Sequence, residues 1–383
     1  METLAPFKEV IEEIKEYGGR AVTNCFQCGK CDTVCPWNEV SNFSVRKVIR
    51  EATFGLSEVE KEEIWKCTTC GRCPVICPRD VKQIEDMVAL RRIATKYGIF
   101  PGPVKPIRSI VQGLQWQGNP FNEERQKRNE WASGLSVKEH NDKTEYLYFT
   151  CCYLSYDPRL KRVARSVVNI LNKAKIDFGI LGQRENCCGE SIKRSGNEDL
   201  FIRLAKENIK AFVDSGVKRI IVSSPHCYHT FKNEYPELKV NFEVLHLSEV
   251  AYELLLNGRL KIKKEYKKRV VYHDPCYLGR HNGIFDEPRE ILKSIPGLEL
   301  VELKDSREDS LCCGMGGGRV WMETPKEERF SNLRIEEAAK IEAQELVTSC
   351  PYCITAFEDS RLVMNLSDRI EVKDIAEILD EVI

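Results

Sequence analysis

Eighteen cysteines stand in this 383-residue chain, and they fall into three groups with none left over. Eight lie at Cys25, Cys28, Cys31, Cys35, Cys67, Cys70, Cys73 and Cys77. Five lie at Cys151, Cys152, Cys187, Cys188 and Cys227, and five more at Cys276, Cys312, Cys313, Cys350 and Cys353. The start of the chain, Met1–Glu9, has no basic stretch followed by an apolar core, so a secretory leader is not expected. Reducing compartments do not maintain disulfide frameworks, which makes metal the first chemistry to consider for clustered thiols.

The first group is written twice. Cys25-Phe-Gln-Cys28-Gly-Lys-Cys31-Asp-Thr-Val-Cys35-Pro36 repeats as Cys67-Thr-Thr-Cys70-Gly-Arg-Cys73-Pro-Val-Ile-Cys77-Pro78. Each is the C-x2-C-x2-C-x3-C-P run in which three close thiolates wrap one iron–sulfur cubane and the fourth crosses to a second. The spacing predicts one [4Fe–4S] cluster on Cys25, Cys28, Cys31 and Cys77, and another on Cys67, Cys70, Cys73 and Cys35. Zinc knuckles have no use for a third cysteine at +3 and a fourth at +4. Gly29 and Gly71 allow the tight turn such a loop needs. Two clusters so close in sequence suit one-electron transfer.

The other ten cysteines belong to a duplicated unit. Cys152 and Cys276 are 124 residues apart, Cys187-Cys188-Gly189 and Cys312-Cys313-Gly314 are 125 apart, and Cys227 and Cys353 are 126 apart. The second copy has the spacing C-x35-CC-x36-C-x2-C, five thiolates where a cubane takes four. Adjacent Cys312 and Cys313 cannot both serve one corner, so they point to a cluster of unusual shape or a bridging thiolate. Gly314, Gly316, Gly317 and Gly318 would let backbone amides approach sulfide. A dinucleotide loop is the competing reading of that run, and it fails for want of a preceding strand and of the G-x-G-x-x-G order. In the first copy Ser224 stands where Cys350 stands in the second, and Cys151 adds a thiol beside Cys152. Four aligned thiolates remain there, Cys152, Cys187, Cys188 and Cys227, for either a further relay cluster or a purely structural role. The five-ligand site is lost in that half unless Cys151, Ser224 or His226 substitutes.

The elements that must hold these residues follow from periodicity. Val45–Ala52 and Ser57–Trp65 read as helices, the second opened by a capping box of Ser57 and Glu60. Each later unit runs strand, helix (Arg159–Lys173 or Pro288–Ser294), Cys-Cys-Gly loop, long helix (Asp199–Asp214 or Glu327–Ala343), then a strand (Val217–Ser223 or Glu345–Ser349) that delivers the last cysteines. This predicts a helical two-cluster ferredoxin domain over 1–98, a linker over 99–143 marked by Pro101, Pro103 and Pro106 and expected to be a solvated tether in its second half, and an α/β domain of two pseudo-twofold-related repeats, 144–265 and 266–383. With 58 Lys+Arg against 59 Asp+Glu there is no basic footprint for nucleic acid. No apolar run reaches the ~18 residues that span a bilayer. The chain reads as cytoplasmic, with any membrane contact made through a partner.

Both ferredoxin runs, Tyr272-His-Asp-Pro-Cys276-Tyr-Leu-Gly-Arg280-His281-Asn-Gly and Leu311-Cys-Cys-Gly-Met-Gly-Gly-Gly-Arg319 resemble the cysteine-rich (CCG) domain proteins of the heterodisulfide reductase group. The arrangement is that of fused C-type and B-type subunits, as in the D-type subunit, and Asn119-Pro-Phe and Trp131 are similar to that family's linker. The resemblance covers nearly the whole chain. It implies a noncubane [4Fe–4S] cluster on Cys276, Cys312, Cys313, Cys350 and Cys353, at which a disulfide or thiol substrate is cleaved or formed. It also implies a flavoprotein or cytochrome b-type partner, or a pure carrier role between two such partners, in an anaerobic or microaerobic setting. Arg280 and His281 are placed to balance cluster charge or to protonate a leaving thiol; Arg319 is a similar candidate, the alternative being surface solvation of a glycine loop. His226, His229 and His273 read as hydrogen-bonded structural histidines.

Overall fold

The computed structural model describes residues 7–55, 59 and 61–383. Ser57 and Glu60, the expected capping box, lie outside them. Two compact units emerge. One is built from the N-terminal 108 residues together with Ser191–Leu200 and Gly314–Phe330, the other from Ser109–Glu190, Phe201–Cys313 and Ser331–Ile383.

The first unit is helical. Val45–Thr53 starts at Ser44, whose hydroxyl accepts from the Lys47 amide at 3.0 Å, and it buries Val48, Ile49 and Ala52. Gln83–Lys96 buries Met87, Val88, Ala89, Leu90, Ile93 and Ala94, an apolar surface broad enough to make it the central helix. Each cysteine run turns through a glycine of positive φ, 82° at Gly29 and 84° at Gly71, straight into a single-turn helix. Arg91, fully buried, ties these parts together. Its guanidinium donates to the carbonyls of Ile64 (2.8 Å), Cys67 (2.6 Å), Arg194 (3.0 Å) and Gly317 (2.8 Å). A Cβ on Gly316 or Gly317 would meet the carbonyl oxygens of Thr68 or Cys67 at 2.4 and 2.5 Å. Those two positions are therefore glycine because their backbone lies on the backbone of the second cysteine loop.

The second unit holds two parallel sheets. Strands β1 (Lys138–Glu139), β2 (Tyr146–Tyr148), β3 (Phe178–Ile180), β4 (Arg219–Val222) and β5 (Glu243–His246) form the first, in the order β1-β3-β2-β4-β5. Strands β6 (Arg269–Tyr272), β7 (Glu299–Val301), β8 (Glu345–Thr348) and β9 (Glu371–Asp374) form the second, in the order β7-β6-β8-β9. Apart from β1 the two orders are the same, and all pairings are parallel. Ile220, Ile221 and Val222, like Leu346 and Val347, have essentially no exposed surface, as parallel strands between helical layers require. The fold is the α/β duplication expected from the repeat.

The two repeats also exchange support. Helix Ile375–Val382, which ends the second, packs on Lys161–Lys173, the first long helix of the first; Leu247–Leu256, which ends the first sheet's unit, packs on Asp286–Lys293 of the second. Both closing helices begin with a capping box, His246 with Glu249 and Asp374 with Glu377. Glu377 and Glu358 receive Arg159 from the opposite repeat at 2.8 and 2.9 Å.

The segment over 117–143 is not a solvated tether. β1 extends the first sheet, and Arg128 and Trp131 are buried. Its polar composition conceals a buried ion pair: Arg128 lies 3.3 Å from Glu185.

Asp86 of the central helix is completely buried, and its carboxylate oxygens have no hydrogen-bond partner among the described residues. Burial, with Glu85 adding to it, pushes its pKa up to about 7. Because the folded value lies above the unfolded one, the native state holds the extra proton, and stability is lost as pH rises through 7. Between pH 6 and 8 the first unit should lose about 1 kcal/mol, a few degrees of melting temperature. Asp86→Asn should flatten that slope, as followed by thermal unfolding of the cluster-loaded protein.

Candidate iron–sulfur and thiol sites

In the first unit the chain crossing predicted from spacing is seen directly. One cavity is lined by Cys25, Cys28, Cys31 and Cys77, and a separate one by Cys35, Cys67, Cys70 and Cys73. Cys28 is exposed beside Phe26, which is 59% exposed, whereas Cys70 is buried. Burial, helped by Asp32 and Cys25, pushes the Cys31 thiol up to about 12; burial and then the neighbouring sulfurs raise Cys35 and Cys73 further. Thiols in such places ionise together only against a strongly cationic centre, which is what an iron–sulfur core provides. The donor sets therefore fit the two cubanes.

In the second unit the cysteines sit at the carboxyl ends of strands. Cys152 follows β2 and Cys227 follows β4; Cys276 follows β6, and Cys350 and Cys353 follow β8. β2 and β4 are adjacent, as are β6 and β8, and each pair lies where the strand order reverses, the position at which open α/β sheets bind ligands. The loops after β3 and β7 bring in Cys187-Cys188 and Cys312-Cys313.

The second set makes a string of contacts. Cys276 is in hydrogen-bond contact with Cys312, Cys353 donates to Cys313 at 3.3 Å, and Cys353 and Cys350 are in contact. All five are at most 7% exposed. Arg280 donates to the carbonyl of Ser310 at 2.6 Å, and its charge favours the Cys276 thiolate. No three histidine, cysteine, aspartate or glutamate side chains among the described residues surround a single-ion position. Five buried thiols are a donor set for several iron corners, and so fit an iron–sulfur cluster.

A histidine from the first repeat completes this set. His226 hydrogen-bonds to Cys350, and its Nδ1 lies 3.3 Å from Glu190. Burial opposes its charge, but Glu190 and Cys350 prevail and raise its pKa; burial likewise opposes the Cys350 thiolate, but Cys353 and His226 prevail and lower it. The His226 ring lies between Tyr277 and Tyr352, with centroids 4.2 and 4.3 Å away. Tyr352 meets Tyr153 at 4.9 Å, and Tyr277 stacks on His281 at 4.4 Å. In repeat register His226 matches Tyr352 and Tyr153 matches Tyr277, so the aromatic column crosses the pseudo-twofold axis. By sequence His226 reads as a structural histidine beside Cys227; the structure instead takes it to Cys350 of the other repeat.

In the first repeat Arg128 Nη1 donates to the Cys152 sulfur at 3.5 Å. Burial disfavours its charge, but Cys152 and Glu185 hold the guanidinium cationic. His273 is buried against Phe357, and burial next to Arg334 and Arg280 keeps its pKa low, a neutral packing role. His229 borders Tyr277 and His281. Arg319 lies in the first unit with Trp37 and Thr324, and Gly316 and Gly317 lie there against Thr68 and Cys67. No helix among the described residues is long and apolar enough to cross a membrane.

A two-cluster ferredoxin-type unit and a duplicated cysteine-rich α/β unit define an iron–sulfur redox protein. Family models agree: a 4Fe-4S dicluster domain matches residues 21–81, and the CCG cysteine-rich domain matches 146–232 and 270–358. The chain is 37% identical over 84% of its length to the probable iron-sulfur-binding oxidoreductase FadF of Bacillus subtilis, and 36% identical over 84% to EtfAB:quinone oxidoreductase of Syntrophomonas wolfei. It covers 46% of each, so it spans about half the length of those relatives. With the D-type subunit of dihydromethanophenazine:CoB--CoM heterodisulfide reductase of Methanosarcina barkeri it shares 30% identity over 93% of both chains. A Helicobacter pylori protein of solved structure shares the fold at a TM-score of 0.52 and 11% identity, over 98% of this chain and 72% of that one. The chain belongs to the family of CCG-domain iron–sulfur oxidoreductases that includes the D-type subunit of heterodisulfide reductase.

The Arg128–Glu185 pair is 2% and 1% exposed, and burial outweighs Arg128 to push the Glu185 carboxyl up to about 7, so removing Arg128 leaves a buried carboxyl without its cationic partner. Arg128→Leu should cost about 3–5 kcal/mol in denaturant unfolding, and adding Glu185→Leu should recover most of it.

Proposed function

We propose that this chain is the electron-transfer and catalytic subunit of a heterodisulfide reductase-like redox complex, moving electrons from its ferredoxin-type unit to the second cysteine set, where a disulfide or thiol substrate reacts. The observation that carries this reading is the complete, buried string Cys276, Cys312, Cys313, Cys353 and Cys350 with two cationic groups, Arg280 and His226, placed on its end sulfurs. Those five thiolates would hold the noncubane-type cluster, and the eight N-terminal ones two cubanes, which when bound supply one-electron steps to the two-electron chemistry of an S–S bond.

The protein's own groups would then set the environment. His226 keeps an N–H on Cys350, and Arg280 keeps its charge by Cys276, so negative charge gathered on sulfur is balanced at both ends of the string. His281, stacked on Tyr277 five residues after Cys276, is placed to give a proton to a leaving thiol. Electrons would enter from a flavoprotein or a cytochrome b-type subunit, through which any membrane contact would also be made.

A second reading, a pure carrier between a flavoprotein dehydrogenase and a quinone-reactive or other acceptor, has one observation in its favour: the second set is at most 7% exposed, leaving a substrate little access.

Iron and acid-labile sulfide on anaerobically purified protein test the cluster assignment. Cys312→Ala with Cys313→Ala should remove about four iron atoms per chain and leave in place the cubanes' share of about eight. Addition of a small thiol should perturb the electron paramagnetic spectrum of the second-set cluster if a sulfur substrate binds there. An unperturbed spectrum selects the carrier reading, and an unchanged iron count removes the catalytic reading, leaving a two-cluster carrier with a cysteine-rich docking unit.

A further inference from the structure

We propose that Cys151 supplies the fifth thiolate of the first repeat, so that this half, despite Ser224, presents a complete five-thiol site for an iron–sulfur cluster of the same type as the second. The inference rests on the reading of the second set as a cluster site.

The order of contacts within the two sets carries it. In the first repeat Cys152 is in hydrogen-bond contact with Cys187, Cys187 with Cys188, Cys188 with Cys227, and Cys227 with Cys151. In the second Cys276 contacts Cys312, whose neighbour along the chain, Cys313, contacts Cys353, and Cys353 contacts Cys350. Member by member the strings correspond, and Cys151 occupies the place of Cys350. Cys151 is 7% exposed and Cys227 is 2% exposed, so the pair is buried, as is its counterpart at 1% and 2%.

Strand register explains how a residue so far away in sequence takes over. β2 pairs with β4 with Tyr148 opposite Ile221, and the Phe149 amide donates to the Ile221 carbonyl at 3.0 Å. Continuing that register three residues past the ladder sets Cys151 opposite Ser224. In the second sheet Tyr272 lies opposite Val347, and the same step sets Pro275 opposite Cys350. The thiol has therefore moved sideways, from the end of one strand to the end of its neighbour. Ser224 is 1% exposed, and its hydroxyl, unlike the Cys151 thiol, makes no hydrogen bond to the string. His226 does not join the string either, since it serves Cys350.

The test uses the full chain, purified without oxygen, with iron, acid-labile sulfide and Mössbauer spectra as readouts. The native protein should carry about sixteen iron atoms, and the Cys312→Ala/Cys313→Ala protein about twelve. In that background Cys151→Ala should lose about four more or change the remaining non-cubane spectrum, and adding Ser224→Cys should restore both. Unchanged iron and spectrum in Cys151→Ala, or a loss that Ser224→Cys fails to restore, would overturn the proposal. Native protein with about twelve iron atoms, falling to about eight without Cys312 and Cys313, would also overturn it while leaving the functional reading intact. Iron that does not respond to Cys312 and Cys313 would strike that reading instead.

Discussion

Gathering many thiols in a dry interior is the constraint on which the rest of this structure turns. A buried thiolate is disfavoured by desolvation, and each neighbouring thiolate disfavours it further. Cys31, Cys35 and Cys73 show the effect, held well above the ordinary thiol value by burial first and by neighbouring charge next. Such sets persist as ligands only where positive charge is supplied, by metal and by the protein. The protein's share is visible in its cationic groups: buried Arg91 on the backbone of the second cysteine loop, buried Arg128 on Cys152, buried His226 on Cys350, and partly exposed Arg280 near Cys276. Arg91 and Arg280 donate to carbonyls, and Arg128 and His226 also lie by a carboxylate.

The parallel sheets solve the placement problem. Adjacent strands that both end at the switch point bring sulfurs together from residues far apart in sequence, while the loop from the third strand closes the set with an adjacent cysteine pair. Duplication then gives two such sets. Because each repeat's closing helix packs on the other repeat, and because His226 of one reaches Cys350 of the other, the halves are interdependent and not beads on a string. The column Tyr153, Tyr352, His226, Tyr277 runs between the two sets, and at its centre the pseudo-twofold exchanges a tyrosine for a histidine.

Much of this was legible in the sequence because it is periodic. Doubled ferredoxin runs name their own ligand crossing, constant offsets announce the duplication, and strand–helix alternation gives the α/β class. What escaped depends on partners distant in sequence. Over 117–143 a charged composition suggested solvent, yet Arg128 is buried because Glu185 and Cys152 receive it. The glycine run after Cys313 suggested amides aimed at the second cluster, yet Gly316 and Gly317 are glycine because the backbone of Cys67 and Thr68 lies against them. His226 looked local because the nearest cysteine in sequence, Cys227, is not the one it serves.

Cysteine spacing is a one-dimensional shadow of a donor set, and it reports a loss wherever a donor changes strands. At the carboxyl edge of two adjacent parallel strands, positions in register are neighbours in space, so a donor can stand on either strand and still reach the same partner. Pro275, whose carbonyl accepts from Leu278 and Gly279 at 2.9 Å, fixes the turn after β6 and leaves the donor to β8. In the first repeat the matching position is Cys151, which opens the short helix Cys152–Tyr156, and its carbonyl accepts from Ser155 at 3.0 Å. That backbone role needs no proline, which frees the side chain to be a thiol. Read by position in the sheet instead of along the chain, the two repeats hold the same number of sulfurs in the same order.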